Sequence, residues 1–366
     1  MSLVNNFTVK KVRSSNLELL RLLSMFFVLV VHTDFQALGM PDRTEMTILP
    51  LFSVLRIIIE AFAIVCVNSF VLLSGWFGIN FHIKSLCNLL FQCAFFLIGI
   101  YTFTILIGIE PLSISGIKRC LMLTNNVWFV KCYLGMFIMA PILNAFVKKT
   151  DKRTFSTVLL SFFIFQTIYG WFSNGAPYFE KGYSAFSFMG LYLLARYVRI
   201  YQPSYTQWSK SKNLLMYISL STFTALMLII TCYFDKVGYF CMFWTYTSPL
   251  VIAGALYLLL FFNRFAFQNK GINWIAASCF AVYLFHFFIW EYFMKPHIQQ
   301  LAVTYNGISC LLVITGLLLT FFTAAILIDK IRLYIWNHFV SKYISLRDNT
   351  YFQIRLLRVY SLYLRL

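Results

Sequence analysis

In the segment LELLRLLSMFFVLVVHTDF, residues 17–35, four titratable side chains interrupt an apolar run: Glu18, Arg21, His32 and Asp34. Arg21 and His32 stand eleven residues apart. At about 100° and 1.5 Å per residue, a helix turns them onto one face and separates them by about 16 Å along its axis. An arginine grips phosphate through its planar fork, and a neutral imidazole can take a proton from a hydroxyl. The pair therefore suits an anionic cofactor held at one end and an alcohol activated further along. Glu18, three residues before Arg21, falls on the same side and can hold the guanidinium by pairing with it. Asp34 turns about 160° away from His32 and marks the outer end of the segment. The structural alternative is that Arg21 snorkels to lipid headgroups and His32 closes an interhelical hydrogen bond.

The elements that must position these groups are membrane helices. Of 366 residues 60% are hydrophobic and 11% charged, with a mean hydropathy of +0.77. A soluble globular chain carries near a quarter charged residues, so this composition excludes that class. The apolar runs are continuous over about 20 residues, as a membrane-crossing helix requires, and do not alternate as barrel strands would. The chain is expected to be an all-α polytopic integral membrane protein of about ten transmembrane helices. Spans are expected near 17–38, 53–78, 84–108, 127–147, 155–173, 183–200, 213–234, 243–263, 273–294 and 305–328. This divides the chain into a cytoplasmic N-terminus at 1–16, a membrane domain at 17–328 and a basic amphipathic tail at 329–366.

The net charge of +18 gathers on one side, notably in KKTDKR at 148–153 and in the tail. Basic residues accumulate on the cytoplasmic side of membrane proteins, so both termini are placed inside, and no basic domain exists to hold nucleic acid. The nine cysteines lie mostly within apolar runs without C-x-x-C spacing, and read as small buried hydrophobes rather than as metal ligands or disulfides. The first apolar run is too long for a cleaved signal peptide and is expected to be retained. Connections are short, so any chemistry must occur within the helix bundle.

Arg21, ten residues and His32 resemble the first hallmark of the membrane acyltransferase family 3 proteins, which O-acylate bacterial surface glycans. The second, an apolar helix ending in Ser-Gly-aromatic, is matched by SFVLLSGWF with Ser74, Gly75 and Trp76. VWFVKCYLGMFIMAPILN at 127–144, MGLYLLARYVR at 189–199 and AVYLFHFFIW at 281–290 follow in family order. The resemblance implies an enzyme of the bacterial inner membrane. It would transfer an acyl group, usually acetyl from acetyl-CoA, to a hydroxyl of a polysaccharide or its lipid-linked precursor. By motif match Arg21 would help hold CoA, supported by Glu18, and His32 would deprotonate the acceptor hydroxyl or relay its proton. Many members carry a basic R-x-x-R cluster near the third span, where FHIKSLCNLL offers only Lys84. Some members also carry a C-terminal soluble hydrolase-like domain; none is expected here, so the membrane domain would act alone or hand off to a partner.

The other marked positions have two readings each. Ser74 and Gly75 would line the CoA entrance or simply let helices pack closely. Arg56 and Glu60, four residues apart at His32's depth, would orient the sugar or form a structural ion pair. Trp128 and Tyr133 would offer a sugar platform or belong to the interfacial aromatic belt. His286 would assist proton transfer and contact substrate, or bridge two helices. A flippase, a polymerase for lipid-linked oligosaccharides and a proton-coupled transporter are the competing classes. No long outer loop or inverted repeat favours them, and the Arg–His pair has no obvious task there.

Overall fold

The protein, seen in a computed structural model that describes residues 13–173, 178–305 and 307–341, is all α, with no strand among those residues. Most of the basic tail, from 342 onward, lies outside the described residues. Helix is the form such apolar runs must take, because hydrocarbon offers no partners for backbone N–H and C=O groups. The first helix, α1 (Ser15–Val31), widens into a π turn, His32–Leu38, which Gly39 ends at a φ of 87°. A short α2 (Arg43–Ile48) leads to α3 (Pro50–Ala63) and α4 (Cys66–Phe77). There follow α5 (Ile83–Leu106), the short α6 (Ile114–Cys120), α7 (Trp128–Lys149), α8 (Lys152–Phe165) and α9 (Ala185–Tyr201). The last third holds α10 (Lys210–Tyr233), α11 (Val237–Phe243), α12 (Pro249–Asn263), α13 (Lys270–Ala276), α14 (Cys279–Ile289), α15 (Lys295–Thr304) and α16 (Gly307–Ile335).

The ends of these helices are written locally. Asp42, Asp151, Ser184 and Ser209 each accept a backbone N–H of the first turn that follows them, satisfying a donor the helix leaves unpaired. Pro50 and Pro249 open α3 and α12, where a missing N–H costs nothing.

Each of the ten expected windows contains a helix, but among the described residues seven stretches are long and apolar enough to cross a membrane, or eight if a bent pair counts as one. The difference has local causes. The helices in the sixth and eighth windows, α9 and α12, are only 17 and 15 residues long. The window at 273–294 is broken, with Lys270–Phe287 and Trp290–Thr304 meeting at 63°.

Helix α1 runs through the middle of the bundle, against α3, α4, α12, α13, α14 and α16. Behind it, α4 packs against α9 and α12. The approach to α9 is close at Gly75, where a Cβ atom would come 2.5 Å from the carbonyl oxygen of Tyr192 and 2.9 Å from its Cα. Backbone, not a flexible side chain, would be struck. Leu20, Leu29, Leu72, Met136 and Tyr192 are fully buried around this centre.

Candidate active site

His32 is the first residue of the π turn that ends α1. The ring of His286, from α14, meets it edge-on with centroids 4.7 Å apart, and the Trp290 ring stands 5.7 Å from His32 on another side. The chain bends to achieve this. α14 stays regular through Ile289, Trp290–Met294 forms a π turn, and Pro296 in the first turn of α15 cannot continue the preceding hydrogen-bond ladder. His286 is only 2% exposed, and its Nδ1 lies 2.5 Å from the carbonyl oxygen of Tyr283. A carbonyl can only accept, so Nδ1 carries the proton and Nε2 remains an acceptor. Both histidines line a cavity of about 380 Å³, together with Gln36, Asn126, Trp128 and Tyr292. Aromatic faces beside amide, guanidinium and carboxylate groups suit a polar ligand with apolar ring faces, as a sugar has.

One wall of that cavity is braced from the α5–α6 connection. Glu110 accepts hydrogen bonds from Arg119 Nη2 and from the Tyr292 hydroxyl. Burial pushes the Glu110 carboxyl up, but the two hydrogen bonds and the charge of Arg119 outweigh it and hold the group below the ordinary carboxylate range.

Behind His32, Arg56 binds the π turn itself. Its Nε donates to Asp34 Oδ1 at 2.6 Å, its Nη1 to Glu45 Oε1 at 2.7 Å, and its Nη2 to the carbonyl oxygens of Asp34 and Gly39. Asp34 thus points away from His32, as the helical wheel indicates, and is a buried partner of α3 rather than a mark of the segment's end. The ionic partners of Arg56 are Asp34 and Glu45, not the expected Glu60. Glu60 instead accepts from Trp244 Nε1 at 2.6 Å. Neither Arg56 nor Glu60 lines the cavity of the two histidines.

Arg21 holds Glu18 at 2.5 Å, as the spacing predicts. A second cavity, of about 220 Å³, is lined by Arg21, Arg13, Ser74, Gln92, Phe129 and Tyr133 among others. Ser74 Oγ lies 3.4 Å from the Tyr133 hydroxyl. Tyr133, grouped on sequence grounds with the sugar side, therefore sits beside Arg21. Gly75 faces α9 and not this space. Lys84 is exposed in the first turn of α5, which sends Leu89 and Gln92 to the cavity wall.

Aromatic side chains separate the two cavities. Phe129 and Phe280 line the Arg21 side; Tyr283 stacks on Phe280 at 5.8 Å, touches Phe129 at 5.2 Å and meets His286 at 5.2 Å. Trp128 lines the histidine cavity and Phe129, its neighbour, the other.

Sequence reading missed several of these lining residues. Arg13 carried a signal, a basic residue immediately before the first span. Arg119, in the short α6, and Asn126, just before α7, belong to no motif, and Trp290 and Tyr292 reach the cavity only because the chain bends after α14.

No curated protein and no solved structure matches the chain. A family model described as an acyltransferase domain, that of acyltransferase family 3, matches residues 14–329. That stretch begins just before α1, ends in α16 and contains every residue named here for the two cavities except Arg13, which lies one position before it. With apolar helices long enough to cross a bilayer and a family match over most of its length, the chain belongs to the membrane acyltransferases of family 3.

Proposed function

We propose that the protein transfers an acyl group, acetyl in the simplest case, from acyl-CoA to a hydroxyl of a cell-surface polysaccharide or its lipid-linked precursor, at the inner membrane of a bacterium. The observation that carries this reading is the pair of adjoining cavities, one around Arg21, Ser74 and Tyr133 and one around His32 and His286, with a single aromatic partition between them. Donor and acceptor have separate berths, and the shared wall is where they would meet. With the termini in the cytoplasm, the Arg21 side receives the donor and the His32 side the glycan.

In this mechanism Arg21 and Arg13 attract the donor's phosphates, Glu18 fixes the Arg21 fork, and Lys84 at the rim of α5 adds to the field. The pantetheine arm follows α1 over the roughly 16 Å between Arg21 and His32. Ser74 and Tyr133 offer hydroxyls along that path, and Gly75 keeps α4 against α9. On the other side Trp128 gives the sugar a flat face. His32 takes the proton of the acceptor hydroxyl as its oxygen attacks the thioester carbonyl carbon. The C–O bond forms, the C–S bond breaks, and the proton passes from His32 to the departing CoA thiolate. His286, its tautomer set by Tyr283, keeps an acceptor nitrogen in the same cavity and orients His32. Arg56 acts at one remove by holding the π turn, and Glu60 anchors Trp244.

The test is purified protein in liposomes, given acetyl-CoA and the surface glycan as acceptor, with free CoA as the readout. Wild type releases CoA. His32→Ala, eluting as a monodisperse species, loses about 100-fold or more, the usual contribution of a general base. Full activity in that variant removes His32 from the mechanism. Comparing the glycan's mass with and without the gene identifies the acyl group, and an unchanged glycan overturns the polysaccharide assignment.

A further inference from the structure

At the far side of α4 from Ser74 lies a third, polar cavity, of about 320 Å³, lined by Trp76, Arg199, Gln202, Gln207, Asn263 and Arg264 among others. It sits at the same end of the bundle as Arg21, since Asn16 Nδ2 at the start of α1 donates to the carbonyl oxygen of Phe262 at 2.9 Å. Trp76 is two steps along the helix from Ser74, a turn of about 200°, so the two cavities open on opposite faces of α4. The arginines here have no part in the acyl-transfer scheme.

Arg199 Nη1 donates to the Trp76 carbonyl oxygen at 2.8 Å, and its guanidinium stands 5.4 Å from the Trp76 ring centroid. Arg264 Nη2 donates to the Thr206 carbonyl oxygen at 3.1 Å. Arg196, one turn before Arg199, packs on Gly78, with Nη1 3.1 Å from where a Cβ would stand, and its buried Nε has no hydrogen-bond partner. Capping the end of α4 accounts for one donor of Arg199. A guanidinium has five, and among the described residues Arg199 and Arg264, both of which line the cavity, have one hydrogen-bond acceptor each. None of the three arginines pairs with a carboxylate among the described residues. Arg196 and Arg199 also repel each other.

Clustered guanidiniums without a counter-charge, one of them stacked on an indole at the level where helices end, call for an anion. The fork of arginine matches phosphate oxygens in pairs, and basic pockets between membrane helices take phosphate headgroups. We propose that Arg199 and Arg264, with Arg196 behind them, form a phosphate-binding site separate from the Arg21–His32 cavities. Its ligand carries a phosphate ester or diphosphate, and the source is an anionic phospholipid headgroup or a nucleotide. The glutamine and asparagine side chains of the lining complete the shell around such a group.

The experiment uses the full-length protein in detergent, with cardiolipin and adenosine 3′,5′-bisphosphate as separate probes and phosphatidylcholine as the lipid control. Labelling of arginines with phenylglyoxal, read peptide by peptide in the mass spectrometer, is expected to be suppressed at Arg199 and Arg264 by one of the two phosphate probes and not by phosphatidylcholine. The probe that protects identifies the source. Native mass spectrometry is expected to show that R199Q/R264Q weakens that probe's binding by roughly tenfold or more, as loss of charged hydrogen bonds implies, while R153Q, at an exposed position, leaves it unchanged. Protection by neither probe, protection equal to that from phosphatidylcholine, or undiminished binding in the double variant overturns the proposal. The labelling arm uses wild-type protein, so its outcome does not depend on the variant's folding. Neither arm reads acyl transfer, so failure here and failure of the His32 mechanism are told apart.

Discussion

A guanidinium at 3% exposure, bonded to two carboxylates and two carbonyls, cannot lose its partners cheaply, because a buried unpaired charge is far costlier than a buried pair. Arg56→Ala is therefore expected to destabilise the protein by about 3 kcal/mol or more, leaving Asp34 buried without its counter-ion. Thermal unfolding in detergent measures this, and an unchanged Tm would show that the turn holds itself. Asp34→Asn, which keeps the shape and one acceptor, is expected to cost less and to lower activity through His32's position. Residue-level chemistry was only half legible. Arg21, Glu18 and His32 lie on α1, where 100° per residue applies, so their shared face could be read directly. The links of Arg56 to Asp34 and Glu45 span 22 and 11 residues, and spacing along one helix says nothing about them.

Among elements, the brace between the α5–α6 connection and the turn after α14 depends on the charge of Glu110. Glu110 ends below its ordinary value, so its contribution is present above about pH 4.5 and is lost as pH falls through the lowered folded value. For an ion pair partly open to water, that contribution is of order 1 kcal/mol or less. Glu110→Gln is expected to lower Tm at neutral pH, and the gap to wild type to close in acid; a gap that persists in acid would remove the ion pair as its cause. At this scale the sequence was legible in its long apolar runs, each of which became a helix. The wide turns at His32–Leu38 and Trp290–Met294 were not, since both interrupt segments whose composition reads as ordinary span. His32 itself and the Trp290 ring beside it both lie on those turns.

For the whole molecule, the partition of Phe129, Phe280 and Tyr283 decides whether the two cavities, proposed above for donor and acceptor, are one space or two. Phe129→Leu, chosen because it keeps an apolar core side chain, is expected to raise CoA release from acetyl-CoA in the absence of any glycan, as water reaches the thioester. Equal acceptor-free release in wild type and variant would show that the partition does not exclude water. The separation of His32 and Arg21 was readable before the fold, because one continuous segment carries both and serves as a ruler. The partition was not, because it assembles rings from α7 and α14 that sequence presents as general apolar content.

That same wall has an electrical consequence. A protein that opens cavities along one membrane-crossing helix must let a reactant approach a reaction point without letting ions follow. Three packed rings, Tyr283 stacked on Phe280 and Phe129 tilted against both, make an apolar plug that is expected to stop hydrated protons and sodium. The energised membrane would be discharged by any standing gap here. Liposomes bearing the wild type should hold a potassium diffusion potential, and those bearing Phe129→Ala should lose it faster.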